Sequence, residues 1–208
     1  MDKIIHFFAG GGVFMVPLGI CSIVSLAIII ERAMALGRKR VIKASLADAI
    51  QNLHAGQDIT LIEQLSADES TALSRLIRSC IRNMPWSKYE NTETLQTKAR
   101  YEISQLERGL VFLEIVVGIG PLLGLLGAVS GMVTIFAGAG ATGLASQGNI
   151  IAAGISEALS NTVVGLVVAI PSLIAHSLYT RRVEGFAIEM ENLCVEFIGK
   201  IYSERDTD

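Results

Sequence analysis

Two long stretches without charge constrain what this chain can fold into. The first runs from Ile4 to Ile30, 27 residues without Asp, Glu, Lys or Arg. The second runs from Ile115 to Thr180 and is interrupted only by Glu157. A membrane-spanning helix needs about 20 predominantly apolar residues, so the first stretch fits one span and the second fits two. The sequence therefore predicts an all-α membrane protein with three transmembrane helices.

The basic residues predict how these spans are oriented. Lys and Arg are concentrated directly after the first span, in residues 32–43, and directly after the third, at Arg181 and Arg182. On this arrangement 16 of the 17 basic residues lie on one side, with only Lys3 on the other. Positive charge favours the cytoplasmic side, so we expect the N-terminus outside and residues 31–114 and 181–208 in the cytoplasm. The first span is longer than the apolar region of a signal peptide and precedes its basic cluster, so it is expected to be retained.

Four segments are expected along the chain. Residues 1–36 form an outer segment and the first span, 37–109 a cytoplasmic helical insert, 110–180 the second and third spans with a short outer loop, and 181–208 a cytoplasmic helix. Met84-Pro85-Trp86 predicts a break, because Pro rarely lies inside a helix. After it, one long helix is expected from about Ser87 to Phe136. The glycine-rich stretch 137–149 is expected to be a flexible loop.

Apolar residues recur at helical spacing in both cytoplasmic segments. In the insert they are Leu61, Ile62, Leu65, Leu73, Leu76 and Ile77, and in the C-terminal segment Val183, Phe186, Met190, Leu193, Phe197 and Ile201. Such stripes suit packing against other helices. Two of the three spans are therefore expected to extend into a cytoplasmic helical bundle.

Small residues recur on one face of each later span. The second span has glycines spaced 4, 3 and 4 apart, and the third repeats the pattern with alanines. The glycines are Gly120, Gly124, Gly127, Gly131, Gly154 and Gly165. Helices in lipid associate through close backbone contact, which small residues permit. These faces are expected to pack helices within one chain, to pack neighbouring copies in a ring, or both.

Glu157 is the single most informative residue. It lies inside the apolar third span, where a carboxylate costs on the order of 3 kcal/mol on insertion scales, so it should face water, a partner or an ion path. Asn161 and Thr162 follow within about 7.5 Å along the helix axis and extend a short polar track. Three other interpretations stay open: Glu157 at the outer interface, Asn161 joining helices, and Thr162 bonding its own backbone.

Other polar and helix-bending residues carry weaker signals. Pro121 and Pro171 are expected to open or bend their spans, which membrane helices tolerate. His176 and Glu114 lie near the cytoplasmic ends of the third and second spans, where a solvated polar tip is the simpler interpretation of each. Cys21, Cys80 and Cys194 have no metal spacing and are expected to be packing residues. No nucleophile–base pair or metal-ligand cluster is recognisable, so no enzyme activity, cofactor or metal is expected.

Three stretches resemble the MotA/TolQ/ExbB proton-channel family, and most closely its ExbB and TolQ branch. They are VPLGICSIVSLAIIIERAMAL at 16–36, GPLLGLLGAVSGMVTIF at 120–136 and GISEALSNTVVGLVVAIP at 154–171. The three-span layout with a cytoplasmic insert also agrees. One position departs from the family pattern: the second span often has Gly-Thr-Val with a pore-facing Thr, and here Ala128 stands in its place. Ser130 lies about 200° further round the helix and is a poor substitute.

The resemblance implies a concrete assembly. Family members form a ring, typically a pentamer, in the bacterial inner membrane around the transmembrane helices of a dimeric ExbD/TolR-type partner, whose Asp carries protons. A TonB- or TolA-like protein is a further expected partner, and nucleic acid is not. By position, Glu157 and Thr162 match polar pore residues of the family. The expected function is therefore a proton-channel subunit that couples proton-motive force to work across the envelope, for uptake or biopolymer transport. The alternatives are a TolQ-like subunit for envelope maintenance, a passive membrane scaffold, or a small-substrate transporter.

Overall fold

The computed structural model describes residues 12–54, 58–142 and 148–203, and within those ranges the regular structure is helical. The predicted all-α fold is confirmed. The helices are α1 (Met15–Ala35), α2 (Arg38–Val41), α3 (Ala44–Gln51), α4 (Thr60–Ser66), α5 (Ala72–Arg82), α6 (Lys88–Glu107), α7 (Leu110–Thr142) and α8 (Gly148–Tyr202).

Three of these helices are long and apolar enough to cross a membrane. The candidate spans are Met15–Ala35, Leu110–Ala137 and Gly154–Tyr202, which confirms the predicted three. The chain divides into two compact units. We call Met1–Glu31 with Gly109–Leu178 the apolar unit, and Arg32–Arg108 with Tyr179–Asp208 the charged unit.

The predicted single helix from Ser87 to Phe136 is wrong. Helix α6 ends at Glu107 and α7 begins at Leu110. Between them Gly109 has φ +91°, a left-handed conformation that glycine adopts without steric cost. The predicted loop 137–149 is also too long, because α7 continues to Thr142 and α8 begins at Gly148. The intervening residues 143–147 lie outside the described part of the chain.

Large side chains fill the core of the charged unit. On α8, Val183, Phe186, Met190, Leu193 and Phe197 are buried, as their spacing predicts. Ile201 is only half-buried. In the insert the predicted face is divided between α4 and α5, where Ile62, Leu73, Leu76 and Ile77 are buried. Leu61 points away from this core and is 59% exposed, contrary to its assignment to that face.

The break at Met84–Trp86 is confirmed, because α5 ends at Arg82 and α6 begins at Lys88. Ser87 caps α6: its hydroxyl accepts from the Glu90 amide, and the Glu90 carboxylate accepts from the Ser87 amide. The cap fixes the start of a helix that packs on α5 and α8.

A buried polar group joins three parts of the charged unit. The Asn91 amide donates to the Cys80 carbonyl oxygen and to the Tyr202 hydroxyl, each at 3.0 Å. The Tyr202 hydroxyl in turn lies 3.1 Å from the carbonyl oxygen of Trp86. Cys80 and Cys194 are buried and free, and desolvation raises the pKa of the Cys80 thiol to about 12. These thiols act as packing groups.

Candidate functional site

Helices α7 and α8 run antiparallel within the apolar unit and approach at their glycines. A Cβ added to Gly165 would lie 2.6 Å from the Gly120 carbonyl oxygen. A Cβ on Gly131 would lie 3.6 Å from the Ala158 Cβ and from the Gly154 carbonyl oxygen. Further along, a Cβ on Gly154 would collide with Ile135. The glycine face of each helix therefore lies against the other helix of the same copy.

Asn161 lies at the centre of this contact. It is 1% exposed, and its backbone and side chain fill the space left by two glycines of α7. A Cβ on Gly124 would lie 2.7 Å from the Asn161 carbonyl oxygen, and a Cβ on Gly127 2.8 Å from the Asn161 side-chain nitrogen. The Asn161 Oδ1 atom has no hydrogen-bond partner among the described residues. All six glycines singled out from the sequence, together with Asn161, thus meet in one interface.

Glu157 lies one turn before Asn161 and is half-buried. Its carboxylate rests against the backbone that leads into α1: a Cβ on Gly12 would lie 2.6 Å from Glu157 Oε1. Gly12 has φ +66°, and its carbonyl oxygen accepts a hydrogen bond from the Met15 amide at the start of α1. Any other residue at position 12 would meet both a strained backbone and the carboxylate.

Gly12 was not predicted as a site residue. The only signal in the sequence is its place at the end of a run of three glycines before the first span. That run does not reveal which part of the chain approaches it, because the contact joins residues far apart in sequence.

Thr162 lies on the opposite edge of the packed face of α8. Five residues of helix correspond to about 140° of rotation, so Glu157 and Thr162 point in different directions within one copy. The Thr162 hydroxyl donates to the Ala158 carbonyl oxygen at 3.4 Å, as one of the alternative interpretations anticipated. The structure therefore places Glu157 and Asn161 on adjacent turns and separates Thr162 from Glu157.

A serine pair links α1 to α8. The Ser25 and Ser172 hydroxyl oxygens lie 2.5 Å apart, and both side chains are buried. Ser172 also lies 2.7 Å from the Val168 carbonyl oxygen, to which it donates. With that hydrogen committed, Ser25 is the donor of the pair. This pair was not predicted, because one serine in an apolar helix commonly bonds its own backbone.

Apolar contacts among α1, α7 and α8 form a small core. Met15, Leu18, Val116, Val164 and Val168 are buried together. They hold α1 against the side of α8 on which Glu157 lies.

The remaining predicted residues lie at the margins of this arrangement. Pro121 and Pro171 are inside α7 and α8, and both helices continue past them. Their role as bends stays a prediction. Ala128 and His176 are half-buried, whereas Glu114 and Ser130 are exposed. The described part of the chain holds no group of three or more His, Cys, Asp or Glu that could bind a metal.

Chemically, this site offers one carboxylate in an apolar helix, and a lone carboxylate can accept and release a proton. Gly12 lies against it, and the Asn161 amide follows one turn along α8; these groups can provide space or donate and accept hydrogen bonds. They cannot act as general bases near neutral pH. The arrangement suits proton binding within a membrane.

Comparison with known proteins gives a consistent result. The sequence profile of the MotA/TolQ/ExbB proton channel family matches residues 68–192, which contain α5 to α7 and most of α8. The chain is similar to the biopolymer transport protein ExbB-like 3 of Synechocystis, with 30% identity over 83% of this chain and 84% of that protein. It is also similar to an ExbB-like biopolymer transport protein of Helicobacter pylori, at 29% over 91% and 94% of the two chains. For the biopolymer transport protein ExbB of Salmonella typhimurium the values are 26%, 93% and 82%.

Proposed function

This chain belongs to the MotA/TolQ/ExbB proton channel family, and from that membership we propose that it is an ExbB/TolQ-like motor subunit of the bacterial inner membrane. It is a multi-pass membrane protein with a general proton-channel role. Our proposal goes further: inward proton flow through this subunit drives work across the cell envelope, in biopolymer transport or uptake. The observation that carries it is Glu157, a half-buried carboxylate in the third apolar span.

The Glu157 carboxylate makes insertion of this helix into lipid less favourable, so we expect it to have a functional role. A carboxylate at the centre of a span costs on the order of 3 kcal/mol on insertion scales. It has no basic partner among the described residues, so an ion pair does not explain it. Protonation removes the charge and its cost, so the group is suited to alternate between two states as protons pass.

A path that uses both Glu157 and Thr162 needs more than one copy of the chain. The two side chains lie on opposite edges of the packed face of α8, so one copy cannot present both to a single channel. In a ring, one edge of each copy faces the next copy, and Glu157 could then approach Thr162 of its neighbour. This geometry supports the homo-oligomer, expected to be a pentamer, that the family resemblance implies.

The driving force is sufficient for mechanical coupling. One charge crossing 100 mV releases about 2.3 kcal/mol, enough to exchange one weak helix contact for another. We propose that the moving element is a single-span ExbD/TolR-like partner, which forms a dimer inside the ring. A TonB- or TolA-like protein would transmit its movement across the envelope. The N-terminus would face outward and residues 31–114 and 181–208 would lie in the cytoplasm, because nearly all basic residues are there.

The decisive test is Glu157→Gln, which keeps the shape of the side chain and removes its titration. We expect proton flux into vesicles holding the protein and its single-span partner to fall at least tenfold, with assembly unchanged by native mass spectrometry. Glu184→Gln is the matched control, because Glu184 is an exposed carboxylate on the same helix without a partner among the described residues. Flux in that variant should equal the parent.

Three results would reject the proposal. Parent-like flux in Glu157→Gln would remove the carboxylate from the path. Loss of the ring in that variant would favour the passive scaffold, in which polar residues only hold helices together. A monomer that ignores the partner in native mass spectrometry would remove the central channel altogether.

A further inference from the structure

A second feature, unrelated to proton movement, lies in the charged unit. Helices α5 and α6 border a pocket of about 210 Å³. On α5 it is lined by Arg75, Arg78, Ser79 and Arg82, which follow i, i+3, i+4, i+7 spacing and so form one stripe of the helix. On α6 it is lined by Lys98, Tyr101 and Glu102. Four cationic side chains therefore surround one small cavity.

Internal ion pairs neutralise only part of this positive charge. Arg75 forms a bidentate ion pair with the buried Glu102 carboxylate. It also donates a hydrogen bond to the Glu69 carbonyl oxygen at 3.1 Å. Arg78 lies 3.1 Å from the exposed carboxylate of Glu63. These pairs hold the wall of the pocket in place.

Arg82 and Lys98 are different, because neither has a hydrogen bond or ion pair with any residue that the structure describes. Lys98 is half-buried. Arg82 is exposed. A bound anion would supply both groups with a charge-assisted partner. The lining also includes two acidic residues, Glu69 and Glu102, against four basic ones, so the pocket retains net positive charge.

Ser79 provides the second, independent observation. It is 3% exposed, lines the same pocket, and its hydroxyl oxygen has no hydrogen-bond partner among the described residues. Buried hydroxyls are nearly always hydrogen-bonded, so an unpartnered one in a native structure points to a missing ligand or water. A hydroxyl that lines the same pocket as two unpaired cations fits an anion that accepts several hydrogen bonds.

We propose that this pocket binds a small phosphate-bearing anion, held by Arg82, Lys98 and the Ser79 hydroxyl. A phosphate group offers three or four acceptor oxygens, which match one guanidinium, one ammonium and one hydroxyl donor. The volume is below the roughly 300 Å³ at which pockets for drug-sized ligands begin, so the ligand is small or enters only by its phosphate. The exposed Tyr101 ring borders the opening and can contact the rest of such a molecule. The phosphate could belong to a soluble monoester or to a lipid headgroup.

Calorimetric titration of the full-length protein in detergent with inorganic phosphate, at low salt, tests the site. We expect saturable binding in the parent and at least a tenfold loss of affinity in Arg82→Gln/Lys98→Gln, because two charged donors are removed. The matched control is Lys88→Gln/Arg100→Gln, which removes the same charge from α6 outside this pocket. It should bind like the parent.

Ser79→Ala separates binding from folding. Removing a buried hydroxyl that has no partner should leave the thermal midpoint unchanged or raise it, while phosphate affinity falls severalfold. Absence of saturable binding in the parent would overturn the site, as would an equal loss in the control pair or parent-like affinity in Ser79→Ala.

The source of the phosphate is distinguished in nanodiscs. The titration is repeated in phosphatidylcholine discs with and without phosphatidate, whose headgroup is a phosphate monoester. Loss of the phosphate heat in the phosphatidate discs identifies a lipid headgroup as the natural ligand. Unchanged heat identifies a soluble phosphate compound.

Discussion

The apolar unit and the charged unit both pack helices, but they do so with opposite kinds of side chain. In the apolar unit the contact between α7 and α8 is made chiefly by glycine, alanine and one asparagine. Many large side chains of these two helices point outward: Leu125 and Val133 are more than half exposed. In the charged unit the large side chains point inward, and Phe197 and Leu73 are fully buried.

The difference follows from the surroundings of each unit. Lipid chains are as apolar as leucine, so burying a leucine against another helix gains little there, and close backbone approach becomes the main source of association. In water, removing a large apolar side chain from solvent is the dominant favourable term. Close packing therefore depends on small residues between α7 and α8 of the apolar unit, and on large side chains in the core of the charged unit.

Each unit also contains a buried polar group that joins separate helices by hydrogen bonds. The Ser25–Ser172 pair joins helices of the apolar unit, and Asn91 joins α6 to Tyr202 in the charged unit. In both of these groups the hydroxyl or amide donor has an acceptor, because an unpaired buried donor is costly in either setting.

Alanine substitutions in the two units should lower stability for opposite reasons, a cavity in the charged unit and overpacking in the apolar unit. The largest loss is expected at Phe197. Phe197→Ala empties a fully buried position in the charged unit and should lower the free energy of unfolding by about 3–5 kcal/mol. The measurement is thermal or denaturant unfolding of the purified protein. Val195→Ala is the control on the same helix, since that side chain is 63% exposed and should change stability little. Equal losses in the two variants would contradict the assigned core.

Gly165→Ala makes the opposite change in the apolar unit, from a smaller residue to a larger one. The new Cβ would lie 2.6 Å from the Gly120 carbonyl oxygen, so the two helix backbones must separate. Overpacking of this kind costs about 1–3 kcal/mol, and we expect a lower thermal midpoint and a broader size-exclusion peak in detergent. The shift of the thermal midpoint measures how much one added methyl group destabilises this helix contact.

Gly118→Ala is the matched control for that experiment. It adds the same methyl group to α7 where no atom lies within 4 Å. Alanine is the better helix former, by up to about 1 kcal/mol, so this variant should be as stable as the parent or slightly more so. Similar damage in both variants would contradict the contact at Gly165, because helix propensity alone favours alanine at both positions.

The spans and the glycine face could be predicted because each depends on a local pattern. An uncharged run longer than a bilayer crossing leaves few alternatives, and glycines spaced 4, 3 and 4 apart must share a helix face. The stripe at Val183 to Phe197 was predictable for the same reason.

The contacts of the candidate site could not be predicted, because they join distant parts of the sequence. Nothing near Glu157 indicates that Gly12 lies beside it, and nothing near Ser25 indicates Ser172. The break at Gly109 was missed for a different reason. A single glycine is tolerated inside many helices, and only the surrounding packing decides whether it adopts a positive φ.

The smallest expected effect is the loss of thermal stability at low pH. We expect it to arise from two carboxyl groups of the charged unit, Asp68 and Glu90. A hydrogen bond from Lys43 lowers the pKa of the Asp68 carboxyl, and hydrogen bonds from Ser87 lower that of Glu90. A carboxyl whose pKa is lower in the folded state adds stability above its unfolded pKa of about 4, and that stability is lost as pH falls through the folded value. The thermal midpoint should therefore drop between about pH 5 and pH 3. Lys43→Met should flatten this slope more than Lys39→Met, which removes an exposed lysine without such a partner among the described residues, and equal slopes would assign the acid response elsewhere.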